Sequence, residues 1–231
     1  MKTLIYVPII HTSADLGSLA KDVNKRGIED FGEEFWTRYR KIVDSFWEAI
    51  SHYFDSLDVT GMKIYQDGMI ADGEVAQNIV DEVVKSGSRN FEIISKLIQR
   101  GAVLLKTEDL KLIKEERDRI VAILQAKSIT RKLISFLRYK LVKKRLLNKR
   151  DKFIVKRIDE TLNNNEKGVI FIGAFHNVKK KLPGNFQIIE IKDTEKVNAF
   201  QKLVPFYKKN KKRFNELSDY LISKVDSNEH A

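Results

Sequence analysis

Two histidines and a set of acids stand where strands should end. His176 closes Gly168-Val169-Ile170-Phe171-Ile172-Gly173-Ala174-Phe175-His176, an apolar, β-branched and aromatic run bounded by glycines. Such a run reads as a strand buried on both faces. Gly173 lets the backbone there turn tightly or come close to a ligand. His11 follows a second strand-like stretch at 2–10, Asp67 ends a third at 62–66, and Glu108 with Asp109 follows a fourth at 102–105. In open α/β sheets, ligands bind at the carboxyl ends of the strands. His11, Asp67, Glu108 and His176 would then converge on one rim. Two imidazoles and two or three carboxylates suit a divalent metal ion of the Mn, Fe, Co or Zn type, and the chain has no cysteine to offer sulfur. Such an ion lowers the pKa of its bound water to roughly 7, which is the chemistry of hydrolysis. In this reading His11 and His176 hold the ion with Asp67 or Glu108. Remaining carboxylates, with Glu74 a further candidate, serve as general base or orient the imidazoles, and the substrate is a small molecule or a peptide.

Each residue also has a plainer role open to it. A strand-end histidine can simply be hydrogen-bonded, and Asp67-Gly68 is an ordinary turn signal. Glu108 and Asp109 can complement a helix N-terminus. His52, beside Tyr53 and Phe54, reads as packing or surface, and His230 belongs to the tail. What favours chemistry is joint occurrence, since two of the four histidines end predicted strands.

Elements must bring these groups together. Over 28–57, Phe31, Phe35, Tyr39, Ile42, Val43, Phe46, Ile50, Tyr53 and Phe54 recur every three or four positions, predicting one long amphipathic helix. Residues 74–85 predict another, and Ser88 or Asn90 can cap a third that closes at Gly101. Thr107 suits a further N-cap. Residues 110–148 read as helical with one break near 127–130, and 151–162 as a separate helix. A fifth strand is expected at 186–191, then helices around 195–203 and 206–225 and a frayed tail at 226–231. Strands alternating with helices predict an α/β fold, a mainly parallel sheet with helices on both faces. The expectation is a single α/β domain over 1–231 with a basic helical insertion at about 110–148.

The net charge of +11 is local, because residues 127–157 hold thirteen Lys and Arg against Asp151 alone. A basic amphipathic segment can track nucleic acid, an acidic partner or an anionic membrane surface. It can equally be a solvated face whose Lys and Arg stems cover apolar surface. Phe136 and Tyr139 are the only aromatics in it before Phe153, too few for a base-stacking platform. A non-catalytic binding module built on 127–157 is therefore the competing reading. No run of about 18 apolar residues occurs and no signal peptide is visible, so the expectation is a soluble, cytoplasmic protein. GxGxxG, GxxxxGK[ST], GxSxG and HExxH are all absent, which leaves dinucleotide, P-loop, serine-hydrolase and zincin chemistry without support.

One family pattern fits these motifs. Arg150-Asp151-Lys152-Phe153-Ile154, read as opening a helix, is followed by Leu162, the 169–178 strand and Leu182. This order resembles the C-terminal half of the TraB, GumN and Tiki group, in the superfamily that includes the erythromycin-esterase and ChaN-like proteins. That group pairs an Arg-Asn or Arg-Asp helix start with a strand ending Gly-x-x-His, and it carries an earlier Gly-x-x-His strand. The later motif is present as Gly173-Ala174-Phe175-His176, whereas the earlier one departs from the pattern as Pro8-Ile9-Ile10-His11. Asp67 would stand for the acid ending the next strand. The resemblance implies a metal-dependent hydrolase, peptidase-like or esterase-like, with Arg150 and Asp151 in the catalytic set. Arg150, with its fixed fork of donors, would stabilise an oxyanion or hold an anionic substrate group.

Overall fold

In the computed structural model, which describes residues 1–12, 14–15, 20–126 and 128–225, five strands form one all-parallel sheet. They are β1 (Lys2–Ile9), β2 (Lys63–Gln66), β3 (Val103–Leu105), β4 (Lys167–Gly173) and β5 (Phe186–Glu190), in the order β3-β2-β4-β1-β5. Among the described residues the helices are α1 (Ala20–Phe31), α2 (Glu33–Asp55), α3 (Gly73–Lys85), α4 (Arg89–Gln99), α5 (Leu110–Leu124), α6 (Ile129–Thr161), α7 (Thr194–Leu203) and α8 (Lys211–Ile222). The expected α/β class and all five strands are present.

Alternation along the strands sorts the core into two faces. Ile5, Val7 and Ile9 of β1, with Ile64, Val169 and Phe171, meet α2, α3, α4, α7 and α8 on the first face. Leu4 and Tyr6, with Tyr65, Ile170 and Ile172, meet Ile154, Ile158 and Leu162 at the end of α6, together with Val178, on the second. Crossovers that step toward β3 (β1 to β2, β2 to β3) thus carry their helices on the first face. Those that step back toward β5 use the second. The connections leaving β1 and β4, which pair from Thr3↔Lys167 to Ile9↔Gly173, depart to opposite sides. Adjacent strands with diverging exits leave a crevice at their carboxyl ends, where ligands bind in sheets of this kind.

Pro8 is accommodated by this layout. The Tyr6 carbonyl accepts from Ile191 N–H at 3.2 Å, so the backbone of Tyr6, and by alternation that of Pro8, faces β5. Pairing of β1 with β5 ends at Tyr6↔Glu190, and the N–H that proline lacks has no strand beside it to serve.

Three expectations are corrected. The predicted 28–57 helix is two helices, parted at Gly32, whose φ of 87° and ψ of 152° lie where only glycine sits without strain. Residues 151–162 are not a separate helix, because α6 runs unbroken from Ile129 to Thr161 with Ser128 as its cap and neither glycine nor proline inside. Arg150-Asp151 therefore lies mid-helix rather than opening one. Thr107 does not cap α5: its hydroxyl accepts from Gln66 N–H at 3.0 Å, and Asp109 caps instead, accepting from Lys111 and Leu112 N–H at 2.8 and 3.1 Å. The expected break between two helices near 127–130 is present between α5 and α6, although Lys127 itself, like the predicted tail at 226–231 with His230, lies outside the described residues.

Candidate metal centre

Four elements converge at the carboxyl edge of the sheet. Asp67 follows β2, and its N–H continues the ladder to Phe171 C=O at 2.9 Å. Its Oδ2 accepts from Gly173 N–H at 3.1 Å, and a Cβ on Gly173 would stand only 3.2 Å from that oxygen. Glycine there eases this close approach, and a turn follows in which His176 N–H donates to Gly173 C=O at 3.0 Å, so His176 lies just beyond the strand rather than closing it. Glu108 follows β3 on a loop pinned where Thr107 and Glu108 N–H both donate to Met69 C=O, at 2.8 and 2.9 Å. Its side chain is wholly buried.

Arg150 and Asp151 reach the same place from α6, which lies across the second face. Consecutive helical residues point about 100° apart, so the two side chains diverge. Arg150 donates from Nη2 to Asp67 Oδ1 at 2.7 Å and to Glu108 Oε1 at 2.5 Å, from Nε to Glu108 Oε1 at 3.1 Å, and from Nη1 to Glu116 Oε2 of α5 at 2.5 Å. Tyr139 donates to the other Glu116 oxygen at 2.8 Å. Asp151 turns toward the chain after β4. Its Oδ1 lies 2.7 Å from His176 Nδ1, and its Oδ2 accepts from Asn177 N–H at 3.1 Å and from Lys181 Nζ at 2.5 Å. With Nδ1 bound to Asp151, the free His176 nitrogen, Nε2, faces Asp67 Oδ2 at 3.6 Å.

Asp67, Glu108 and His176 offer one ligand atom each, all within 4.8 Å of one another, close enough to hold one ion. Arg150 occupies Asp67 Oδ1 and Glu108 Oε1, and Glu108 Oε2 is left buried without a protein partner. A buried carboxylate oxygen lacking a partner is costly and calls for a cation or a donor. The donor set of two carboxylates and an imidazole, with a carboxylate behind the imidazole, has the chemistry of a divalent metal site.

The electrostatics follow from burial and proximity. Burial pushes Glu108 up to about 7, an effect that the Arg150 guanidinium only partly offsets. Burial works in the same direction on Asp67, but His176 and Arg150 outweigh it and hold that carboxyl below its ordinary value. Asp151 likewise sits low, since its bonds to His176 and Lys181 overcome its desolvation. His176 is raised: desolvation favours the neutral ring, but Asp151 and then Asp67 favour the imidazolium more.

Of the residues singled out from sequence, His176, Asp67, Glu108, Arg150 and Asp151 come together. His11 does not join the ligand group. Its side chain is 51 % exposed with Nδ1 3.8 Å from Asp15 Oδ2, although it is near enough to lower the Asp67 carboxyl electrostatically. The group close enough to hold an ion is Asp67, Glu108 and His176, with both expected carboxylates and one of the two expected imidazoles. Glu74 is exposed in the first turn of α3 and forms no hydrogen bond or ion pair with the cluster. Glu116, Tyr139 and Lys181 were not anticipated. Only the pairing of α5 with α6 and the turn after β4 bring them in, and Glu116, one of three acids in the charged stretch 114–119, carries no local mark that sets it apart.

Beside His176 a cleft of about 520 Å³ opens, lined by Tyr6, Asn177, Lys179, Lys180, Asn198 and Lys202 among others. It offers cationic and amide groups to a substrate at the edge of the cluster. Comparison of the chain with protein-family models, curated proteins and solved structures finds no match. No helix among the described residues is long and apolar enough to cross a membrane.

Proposed function

We propose that the chain is a metal-dependent hydrolase whose ion is held by Asp67, Glu108 and His176, with substrate entering from the cleft beside His176. One observation carries this reading: three ligand atoms within 4.8 Å, one of the residues keeping a buried, unpartnered oxygen. A bound divalent ion would supply hydroxide at neutral pH. Asp151 orients the His176 ring by its bond to Nδ1 and leaves Nε2 available. Arg150 holds Asp67 Oδ1 and Glu108 Oε1, so an ion would meet the unpartnered Glu108 Oε2 and Asp67 Oδ2, which also accepts from Gly173 N–H. Burial holds Glu108 up to about 7, and a bound divalent cation would favour its ionised, ligating form. The cleft presents Lys180 and Lys202, together with Glu195 and a Lys179 already paired with Glu190 at 2.5 Å, so an ester or peptide with an anionic group near Lys180 and Lys202 would suit it.

A second reading rests on Arg150 itself. A guanidinium already engaging Asp67, Glu108 and Glu116 can neutralise the cluster as a static buried network, which leaves a non-catalytic module. Metal analysis of the purified protein at near-neutral pH separates the two. The hydrolase reading expects a stoichiometric Mn, Fe, Co or Zn ion that is lost in Glu108→Gln and His176→Gln and kept in Glu74→Gln, together with metal-supported hydrolysis of model esters or peptides. A folded protein that retains no ion, or a Glu108→Gln variant that binds metal as the parent does, overturns it.

A further inference from the structure

Away from the cluster, the outer part of α6 carries a surface that the hydrolase reading does not use. Residues 129–149 hold eight Lys and Arg and no acid. Half of the large hydrophobic side chains exposed among the described residues belong to α5 and α6, and the outer stretch of α6 alone exposes Leu133, Ile134, Phe136, Leu137 and Leu141. Leu141 is 83 % exposed. Steps of four put Leu133, Leu137 and Leu141 on one stripe, with Lys140 and Lys144 stepping along beside them. Arg138, Lys143 and Arg145, all exposed, flank it. The opposite side is engaged inward: Tyr139 bonds Glu116, Leu146 is buried, and Arg150 enters the cluster. The leucine stripe is thus the solvent face of the hairpin.

Nucleic acid would satisfy the cations but offers no apolar phase to bare aliphatic side chains, and the segment lacks the aromatics that stack on bases. An acidic protein would also meet the charges, but the cleft of about 450 Å³ on the hairpin takes in Ile134 and Arg138 and none of Leu133, Leu137 and Leu141, which leaves the leucine stripe outside any groove there. A bilayer surface of anionic lipid meets both demands: leucines enter the acyl boundary while the Lys and Arg stems reach up to the phosphates. Residues 133–149 span roughly 25 Å at about 1.5 Å per residue, ample for an in-plane helix. Outside 127–157 the chain sums to near neutral, so the largest excess of positive charge lies along this helix.

We propose that the outer face of α6, residues 133–149, docks in the plane of an anionic lipid membrane. The proposal does not depend on the cluster holding metal. It is tested with the full chain by co-sedimentation with vesicles of phosphatidylcholine, alone or mixed with phosphatidylserine, and by titration with duplex DNA in the same buffer. The expected result is binding to the phosphatidylserine vesicles at least about tenfold tighter than to phosphatidylcholine alone. Leu137→Glu combined with Leu141→Glu should lower that binding by about tenfold or more, and Lys140→Gln with Lys144→Gln should do likewise. All four positions are exposed, so circular dichroism should be unchanged. Four results would overturn the proposal: no preference for anionic vesicles, indifference to the leucine substitutions, tighter binding to DNA than to vesicles, or a self-associated state abolished by Leu141→Glu in a protein that ignores lipid.

Discussion

At the residue scale the cluster is a set of dependencies in which each group is held by a different element. In the proposed centre Asp151 would act on the ion only through His176, so Asp151→Asn, which keeps shape and loses charge, should weaken Mn or Zn affinity about 10–100-fold. The check is calorimetric titration at constant pH. The same pair makes stability depend on pH. The folded state raises His176 above 6.5, so its contribution is full below that value and is lost as pH rises through the raised pKa. Urea melts of the metal-free protein should therefore show His176→Gln costing most below pH 6.5 and progressively less above it. Asp67 and Asp151 work in the opposite sense: their contribution is present above 3.8 and lost as pH falls through their lowered values. His176, Asp67 and Glu108 were legible as strand-end residues, because an apolar run that stops on a charge says where the sheet ends. Gly173 was legible only as a glycine with a purpose. That Asp67 is what approaches it depends on β2 lying beside β4, which local sequence does not encode.

Elements were clearest where hydrophobic period and punctuation agree, as in all five strands and in α4, where Ser88 accepts from Phe91 N–H at 3.4 Å. They were misread where periodicity continues across a break in backbone conformation. The apolar stripe persists from α1 into α2, but Gly32 turns the chain there at a positive φ. A Cβ at Gly32 would meet nothing within 4 Å, so the penalty of substitution is conformational rather than steric. Gly32→Ala should cost about 1–3 kcal/mol in chemical denaturation while leaving metal binding intact. The reverse holds for α6, where the sequence reads 151–162 as a separate helix and Arg150-Asp151 as its start, but one helix runs from Ile129 to Thr161. The helix merely passes from solvent on to the sheet.

For the whole molecule, the asymmetry of the two faces matters most. Five helices cover the first face, whereas the end of α6 does most of the covering of the second and carries Arg150 and Asp151 as well. Truncations of similar size should therefore differ in kind. Ile158→Ala and Phe214→Ala should each cost about 2–5 kcal/mol. Only Ile158→Ala should also weaken metal retention at temperatures where both variants remain folded. Thermal melts paired with metal analysis distinguish them, and equal metal loss in both would contradict the assignment of cover and site to one helix. Glu116 shows the limit of sequence at this scale. It reaches Arg150 across 34 positions by way of the α5–α6 hairpin, a pairing with no local signature.

The continuity of α6 has a mechanical consequence. Its tip and its buried end share one unjointed shaft, with no glycine or proline between Leu133 and Arg150 to absorb a bend. A tilt of the outer end would therefore be carried along the shaft toward the guanidinium that clasps three acids. Whatever the outer end rests against would then bear on the posture of the cation at the inner one.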